Sequence, residues 1–115
     1  MSCVHEFGIL DDFDKQKNYI DYKLQEYNYI SVDDDIINCL MEQLSIMKTY
    51  FHSFKRPEYG LAYSGITIIP PESLSLFYDV VTSSRYFAKS VELQELASII
   101  IKAIEVKNYI IHFGI

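Results

Sequence analysis

The sequence predicts one α+β domain, with three helices packed on a mixed or antiparallel sheet. Three observations lead to this fold class. The chain has 115 residues, half of them hydrophobic, which is enough for one buried core. Three segments space their apolar residues at the helical period, whereas the other apolar segments are short and rich in β-branched and aromatic residues. Strands and helices do not alternate as βαβ units, so a parallel sheet is not expected.

The first third of the chain is expected to hold one strand and one irregular segment. Residues 3–9 combine β-branched and aromatic side chains and end at an aspartate-rich stretch, residues 11–14, that is typical of a loop. Residues 19–29 are polar and contain four tyrosines without a clear period. We interpret this segment as irregular, with room for one short extended piece.

The first helix is predicted to begin after Ser31 and to reach about Ser45. Ser31 followed three residues later by Asp34 resembles a capping box, and the aspartates at 33–35 would stand in the first turn, where the helix dipole favours negative charge. Residues 47–54 fit either a last helical turn or an extended segment. The apolar residues that follow the cap at spacings of three and four are Ile36, Ile37, Leu40, Met41 and Leu44.

A strand and a second helix are predicted next. Pro57 and Gly60 interrupt the chain, and residues 61–69 are rich in β-branched and aromatic residues, which favours a strand in which Gly65 marks a bulge or a close backbone approach. Two prolines close this strand. Because proline is tolerated in the first helical turn, residues 71–81 are predicted to form the second helix.

The third helix is predicted over residues 89–106, and a buried strand over residues 109–113. The helix alternates apolar and charged positions at the helical period, and the strand sequence YIIHF is a compact apolar run. Both ends of the chain would then lie in the sheet. The apolar positions of the helix are Val91, Leu93, Leu96, Ile99, Ile100, Ala103 and Ile104.

The negative charge of the chain is concentrated near its beginning. The formal net charge is -6, and residues 1–35 alone carry nine acids against three lysines. The remaining 80 residues carry seven acids and seven bases. A nucleic-acid-binding protein needs a basic surface to displace phosphate counterions, so no nucleic-acid partner is expected. The acidic segment fits a basic protein partner instead.

Residues that could carry chemistry are few and far apart in the sequence. His5, His52 and His112 have no metal-ligand spacing, and His112 stands in an apolar strand, where a hydrogen-bonded core histidine is expected. Cys39, on the predicted first helix, is interpreted as a small packing residue. Cys3 and His5 would share a sheet face, which permits a thiolate pair, but two neighbouring residues are a weak signal. We therefore expect no catalytic residue and no metal ligand.

Cofactor sites are not expected either. The aspartates of residues 11–14 lack the glycine and the glutamate of a calcium-binding EF-hand loop. The four glycines form no phosphate-binding motif. The chain also begins without the cationic and apolar stretches of a secretory signal, contains no apolar run long enough for a membrane span, and has two cysteines without a CxxC pair. A cytoplasmic protein with reduced thiols and no membrane partner is expected.

A protein-binding face is predicted where the acidic residues and tyrosines of the first third intermingle. Tyrosine supplies a large amphipathic contact area, and carboxylates steer a basic partner. The residues predicted to contact the partner are Asp11, Asp12, Asp14, Tyr19, Asp21, Tyr22, Glu26 and Tyr27.

Two stretches carry a resemblance to a known class of proteins. CVHEFGILDD covers residues 3–12, and GITIIPPESL covers residues 65–74 as a strand, a double proline and a helix start. They resemble the small cytosolic immunity proteins that bacteria make against their own polymorphic or contact-dependent growth-inhibition toxins. The resemblance implies a stoichiometric inhibitor that covers the active site of a cognate toxin, often a basic nuclease, and has no enzymatic activity itself.

Two other functions remain open from the sequence. A small cytosolic enzyme would need Cys3, His5, His52 and His112 to converge in one pocket. A homodimeric regulatory protein would bury strand edges or the tyrosine cluster against a second copy, and the sequence leaves the oligomeric state open.

Overall fold

The computed structural model describes residues 3–10 and 29–115. In this part of the chain six strands form one antiparallel sheet in the order β2-β1-β6-β5-β3-β4. The strands are β1 (Val4–Leu10), β2 (Tyr29–Asp33), β3 (Lys48–Phe51), β4 (Pro57–Tyr59), β5 (Ile66–Ile69) and β6 (Tyr109–Phe113). The helices are α1 (Asp34–Asn38), α2 (Met41–Leu44), α3 (Leu74–Ser83) and α4 (Val91–Val106), and 3-10 turns span Pro71–Ser73 and Phe87–Lys89.

The predicted α+β class is confirmed, and so are the strands expected at the two ends of the chain. β1 and β6 pair with each other as the second and third strands of the sheet. The two later helices are also confirmed. A 3-10 turn at Pro71–Ser73 leads into α3, and Ser90 caps α4 by accepting a hydrogen bond from the Leu93 N–H.

The predicted first helix is wrong at its start and in its continuity. Ser31 lies in β2 opposite Glu6, and the cap is Asp33, whose side chain accepts a hydrogen bond from the Asp35 N–H at 2.9 Å. Pairing with β1 keeps this segment extended up to Asp33, so tertiary contacts override the local capping signal. The helix is also divided in two, since α1 ends at Asn38 and α2 begins at Met41.

The segment between the first helices and α3 holds three short strands where one was predicted. Residues 47–54, which fitted either of two structures, form β3 over Lys48–Phe51, and Pro57–Tyr59 pairs with it as an edge strand. The strand predicted at 61–69 is shorter, because only Ile66–Ile69 pairs with its neighbours. Gly65, directly before it, has φ +102°, a conformation that ends regular pairing.

The core lies between the helices and one face of the sheet. Strand alternation places Phe7, Ile69 and Ile110 on this face, where they are fully buried with Phe77 of α3 and Leu96 of α4. The opposite face carries a smaller buried cluster of Leu10, Ile66, Ile68 and Ile111. Among the described residues, no helix is both long and apolar enough to cross a membrane.

Replacing Ile110 with alanine should lower the free energy of unfolding by about 2–5 kcal/mol, since the side chain is fully buried and its truncation leaves a cavity in the core. The matched control is Ile46→Ala, because Ile46 is 70% exposed and the same truncation should cost within about 0.5 kcal/mol. Urea unfolding of both variants measures the difference. Equal losses would contradict the position assigned to Ile110.

Candidate functional site

The eight residues predicted to contact a partner all lie outside the described part of the structure. Their role therefore stays a prediction. They are Asp11, Asp12, Asp14, Tyr19, Asp21, Tyr22, Glu26 and Tyr27.

The structure brings two of the three histidines into direct contact inside the core. His5 lies on β1 and His112 on β6, and the His5 Nδ1 is 2.8 Å from the His112 Nε2. Phe7 is directly opposite His112 in the pairing of β1 with β6. His5 precedes Phe7 by two residues, so its side chain lies on the same sheet face. Both imidazoles are fully buried, and their rings stack with centroids 5.1 Å apart. The expectation of a hydrogen-bonded core histidine at position 112 is confirmed.

The second nitrogen of His5 contacts a carboxylate at the start of α1. His5 Nε2 is 2.8 Å from Asp34 Oδ1. The other carboxylate oxygen, Oδ2, accepts hydrogen bonds from the Tyr63 hydroxyl at 3.0 Å and from the Asn38 amide at 3.2 Å. The Asp34 side chain is 16% exposed and Tyr63 is 47% exposed, so this end of the network reaches the surface.

The second nitrogen of His112 contacts a buried threonine. Thr67 stands directly opposite His112 in the pairing of β5 with β6, and its Oγ1 is 3.1 Å from the His112 Nδ1. The same Oγ1 accepts a hydrogen bond from the Ala62 N–H at 2.8 Å. The network thus runs from Asp34 through both imidazoles to Thr67 and ends on the loop that precedes β5.

The carboxylate determines the direction of every hydrogen bond in this network. An ionised Asp34 can only accept, so the His5 Nε2 must carry a hydrogen. In a neutral His5 the Nδ1 is then an acceptor, and the His112 Nε2 must donate to it. The His112 Nδ1 is in turn an acceptor for the Thr67 hydroxyl. We assign these tautomers from the hydrogen-bond pattern, and they leave no ring nitrogen unpaired.

The ionisable groups of the network are shifted in the directions that this pattern requires. The hydrogen bond from His5 is the main reason why the pKa of Asp34 is lowered below 3.8. Burial, followed by the neighbouring His5, lowers the pKa of His112 well below 6.5. The hydrogen bond to Asp34 raises the pKa of Tyr63 above 10.0.

The geometry gives the histidines a role in holding the fold together. Each imidazole uses both nitrogens within the protein, so neither presents a lone pair to a substrate or a metal ion. The Thr67 hydroxyl is fully buried and is not positioned to act as a nucleophile. Across residues 3–10 and 29–115, every buried polar side-chain atom has a hydrogen-bond partner, and no group of three or more metal-ligating side chains is found.

The other candidate residues from the sequence lie elsewhere. His52 contacts Arg56, with 3.4 Å between the His52 Nδ1 and the Arg56 Nη1, and its ring packs against Gly65. Cys3 is exposed although its neighbour-but-one His5 is buried. The interpretation of Cys39 as a packing residue is wrong: it follows the last residue of α1 and is exposed, because α1 ends there.

The contact between His5, His112 and Asp34 was not predicted from the sequence. A signal for it was present, since His5 alternates with Phe7 and His112 alternates with Ile110 on the apolar faces of two predicted strands. Two polar residues on the inner face of a sheet need hydrogen-bond partners, and here each histidine is a partner of the other. Recognising this requires knowing that β1 and β6 are neighbours.

Comparison with protein-family models, with curated proteins and with solved structures yields no match for this chain.

The buried His112 should make the fold less stable below about pH 6.5. Because its folded-state pKa is lowered, the unfolded chain binds a proton that the folded chain excludes. The contribution of the neutral, buried His112 to the free energy of unfolding is therefore complete above pH 6.5. It is lost as the pH falls towards the folded-state pKa, by up to about 1.4 kcal/mol per pH unit. Urea unfolding at a series of pH values measures this slope.

Two glutamine variants separate this effect from general acid sensitivity. His112→Gln should flatten the slope just below pH 6.5, whereas His52→Gln should retain it, because His52 is half-buried and lies outside the network. Parallel curves for the natural chain and His112→Gln would rule out His112 as the cause.

Proposed function

We propose that this chain is a non-enzymatic, cytoplasmic protein-binding module of the immunity-protein type, which neutralises a basic toxin domain by covering its active site. The observation that carries the proposal is the charge distribution. Residues 1–35 hold nine acids against three lysines, while the other 80 residues are neutral overall. A charge excess confined to one segment orients and accelerates association with a basic partner.

The described end of this acidic segment supports the proposal. Asp35 is exposed at the start of α1, and Asp33 is half-buried beside it. Glu92, at the start of α4, accepts a hydrogen bond from the Asp33 N–H at 2.6 Å. Two helix starts therefore place carboxylates together at one end of the domain. These acids add to the negative field at the end of the domain where β1 begins, since Asp33 pairs with Val4.

The histidine network also favours binding over catalysis. The two histidines that meet have all their ring nitrogens engaged in the core, so they stabilise the domain and offer no general base. In the described part of the chain these hydrogen bonds join β1, β5 and β6 to the start of α1. The predicted contact residues follow directly from β1 in the sequence.

Reversing three of the predicted contact charges should weaken the complex. The variant Asp11→Lys, Asp12→Lys, Asp14→Lys replaces attraction to a basic partner by repulsion, and we expect a rise in Kd of about 100-fold or more. The partner is first captured on the tagged chain, identified by mass spectrometry and produced as a toxin domain. Kd is then measured by calorimetry at low and high salt.

A matched control makes the same change in net charge elsewhere. Glu42, Glu95 and Glu105 are exposed on α2 and α4, and their triple replacement by lysine should alter Kd by less than about 10-fold. The toxin should lose its activity when the natural chain is added at one equivalent. Equal weakening by both variants, or binding without inhibition, would contradict the proposal.

A further inference from the structure

We propose that the hydrogen-bond chain Thr67–His112–His5–Asp34 is a proton-responsive device, which holds one added proton on its two imidazoles and thereby weakens the hydrogen bond between Thr67 and the loop of residues 61–65. The inference is independent of the proposed partner. It rests on the buried contact of two imidazoles and on the groups that end the chain at each side.

The hydrogen-bond chain accepts one proton by reversing the direction of two hydrogen bonds, the one between the imidazoles and the one between His112 and Thr67. The added proton binds the Nδ1 of His112, and the hydrogen on the His112 Nε2 moves along the 2.8 Å contact to the Nδ1 of His5. His112 is then neutral again, and the positive charge stands on His5. There it is 2.8 Å from the Asp34 carboxylate, which stabilises it.

A second proton does not fit. It would place two imidazolium rings in contact and direct two N–H groups at each other across 2.8 Å, in a site where both rings are fully buried. The pair therefore titrates as one unit with a capacity of one. This agrees with the burial that lowers the pKa of His112.

Proton uptake changes the hydrogen bonds of Thr67, at the other end of the hydrogen-bond chain. With the direction reversed, the Nδ1–H of His112 donates to the Thr67 Oγ1, which already accepts from the Ala62 N–H. The Thr67 hydroxyl hydrogen loses its acceptor in a fully buried position, which is unfavourable. The Thr67 contact with Ala62 is weakened as a result.

The loop of residues 61–65 begins with the buried Leu61 and Ala62 and continues through exposed residues from Tyr63 to Gly65. Besides the Ala62 hydrogen bond, the Gly114 N–H donates to the Gly65 carbonyl at 2.7 Å and the Ile115 N–H donates to the Tyr63 carbonyl at 2.8 Å. The loop also carries the Tyr63 side chain, which is bonded to Asp34 at the other end of the chain. Protonation therefore acts on this loop through the contact between Thr67 and Ala62.

Among the described residues, Asp34 is the one charged group in direct contact with the pair. On the packed elements, Val32 of β2 stands opposite His5, and Phe77 of α3 contacts Phe7. Glu6 lies on the other sheet face. The other titratable groups near the surface end are Tyr63, Cys3, Asp33, Asp35 and Glu92, and the Glu92 carboxylate accepts a hydrogen bond from the Asp33 N–H.

The test follows both rings by nuclear magnetic resonance of their nitrogens from pH 8 to pH 4. We expect one shared uptake of a single proton. Asp34→Asn should lower its midpoint by about one pH unit, because it removes the carboxylate that stabilises the charge. Asp35→Asn is the matched control: it removes an exposed carboxylate one residue away and should shift the midpoint by less than about 0.3 pH units.

Hydrogen exchange supplies a second readout on the natural chain. After correction for the intrinsic pH dependence, the Ala62 amide should lose protection by about 10-fold on proton uptake, while the Leu96 amide in α4 should not change. Two independent histidine titrations, equal shifts in the two asparagine variants, or unchanged protection of Ala62 would each overturn the inference.

Discussion

The rest of the fold depends on the pairing of β1 with β6, two interior strands of the sheet. His5 and His112 are 107 positions apart, yet β1 and β6 lie side by side. Closing so long a segment costs conformational entropy, which burial of residues such as Phe7 and Ile110 must offset. β2 adds to the free side of β1 and β5 to the free side of β6, so both halves of the sheet are built on this pair.

The histidine network gives that pairing its register. Burying two imidazoles is unfavourable unless every nitrogen is hydrogen-bonded, and here all four are. A slip of β6 by one residue would move His112 to the other sheet face and leave His5 without its partner. The same slip would also exchange the faces of Ile110 and Ile111, so the apolar pattern and the hydrogen bonds specify the same alignment. The hydrogen bonds of the two histidines thus help to fix the register of β1 and β6, whose pairing the hydrophobic contacts stabilise.

The described acids of the first third include carboxylates that hydrogen-bond within the fold and one that is exposed. Asp33 caps α1 and Asp34 orients His5, while Tyr63 and Asn38 also bind the Asp34 carboxylate. These two acids are committed to the fold, although their negative charges still contribute to the field around the domain. Asp35 has an exposed side chain. Charge counted along the sequence therefore overstates the number of carboxylates that are available to a partner.

The sequence by itself determined the class of the fold and the elements whose signals are local. α4 follows from a helical period sustained over its length, and β6 from a compact apolar run. Only the tertiary structure decided the division of the first helix, the cap at Asp33 and the short strands around Gly60, because pairing with neighbouring strands outweighs local propensity there. The histidine network could not be predicted from the sequence either, because it also depends on tertiary contacts. Its members belong to β1, α1, β5 and β6, and their contact depends on a strand order that no local pattern encodes.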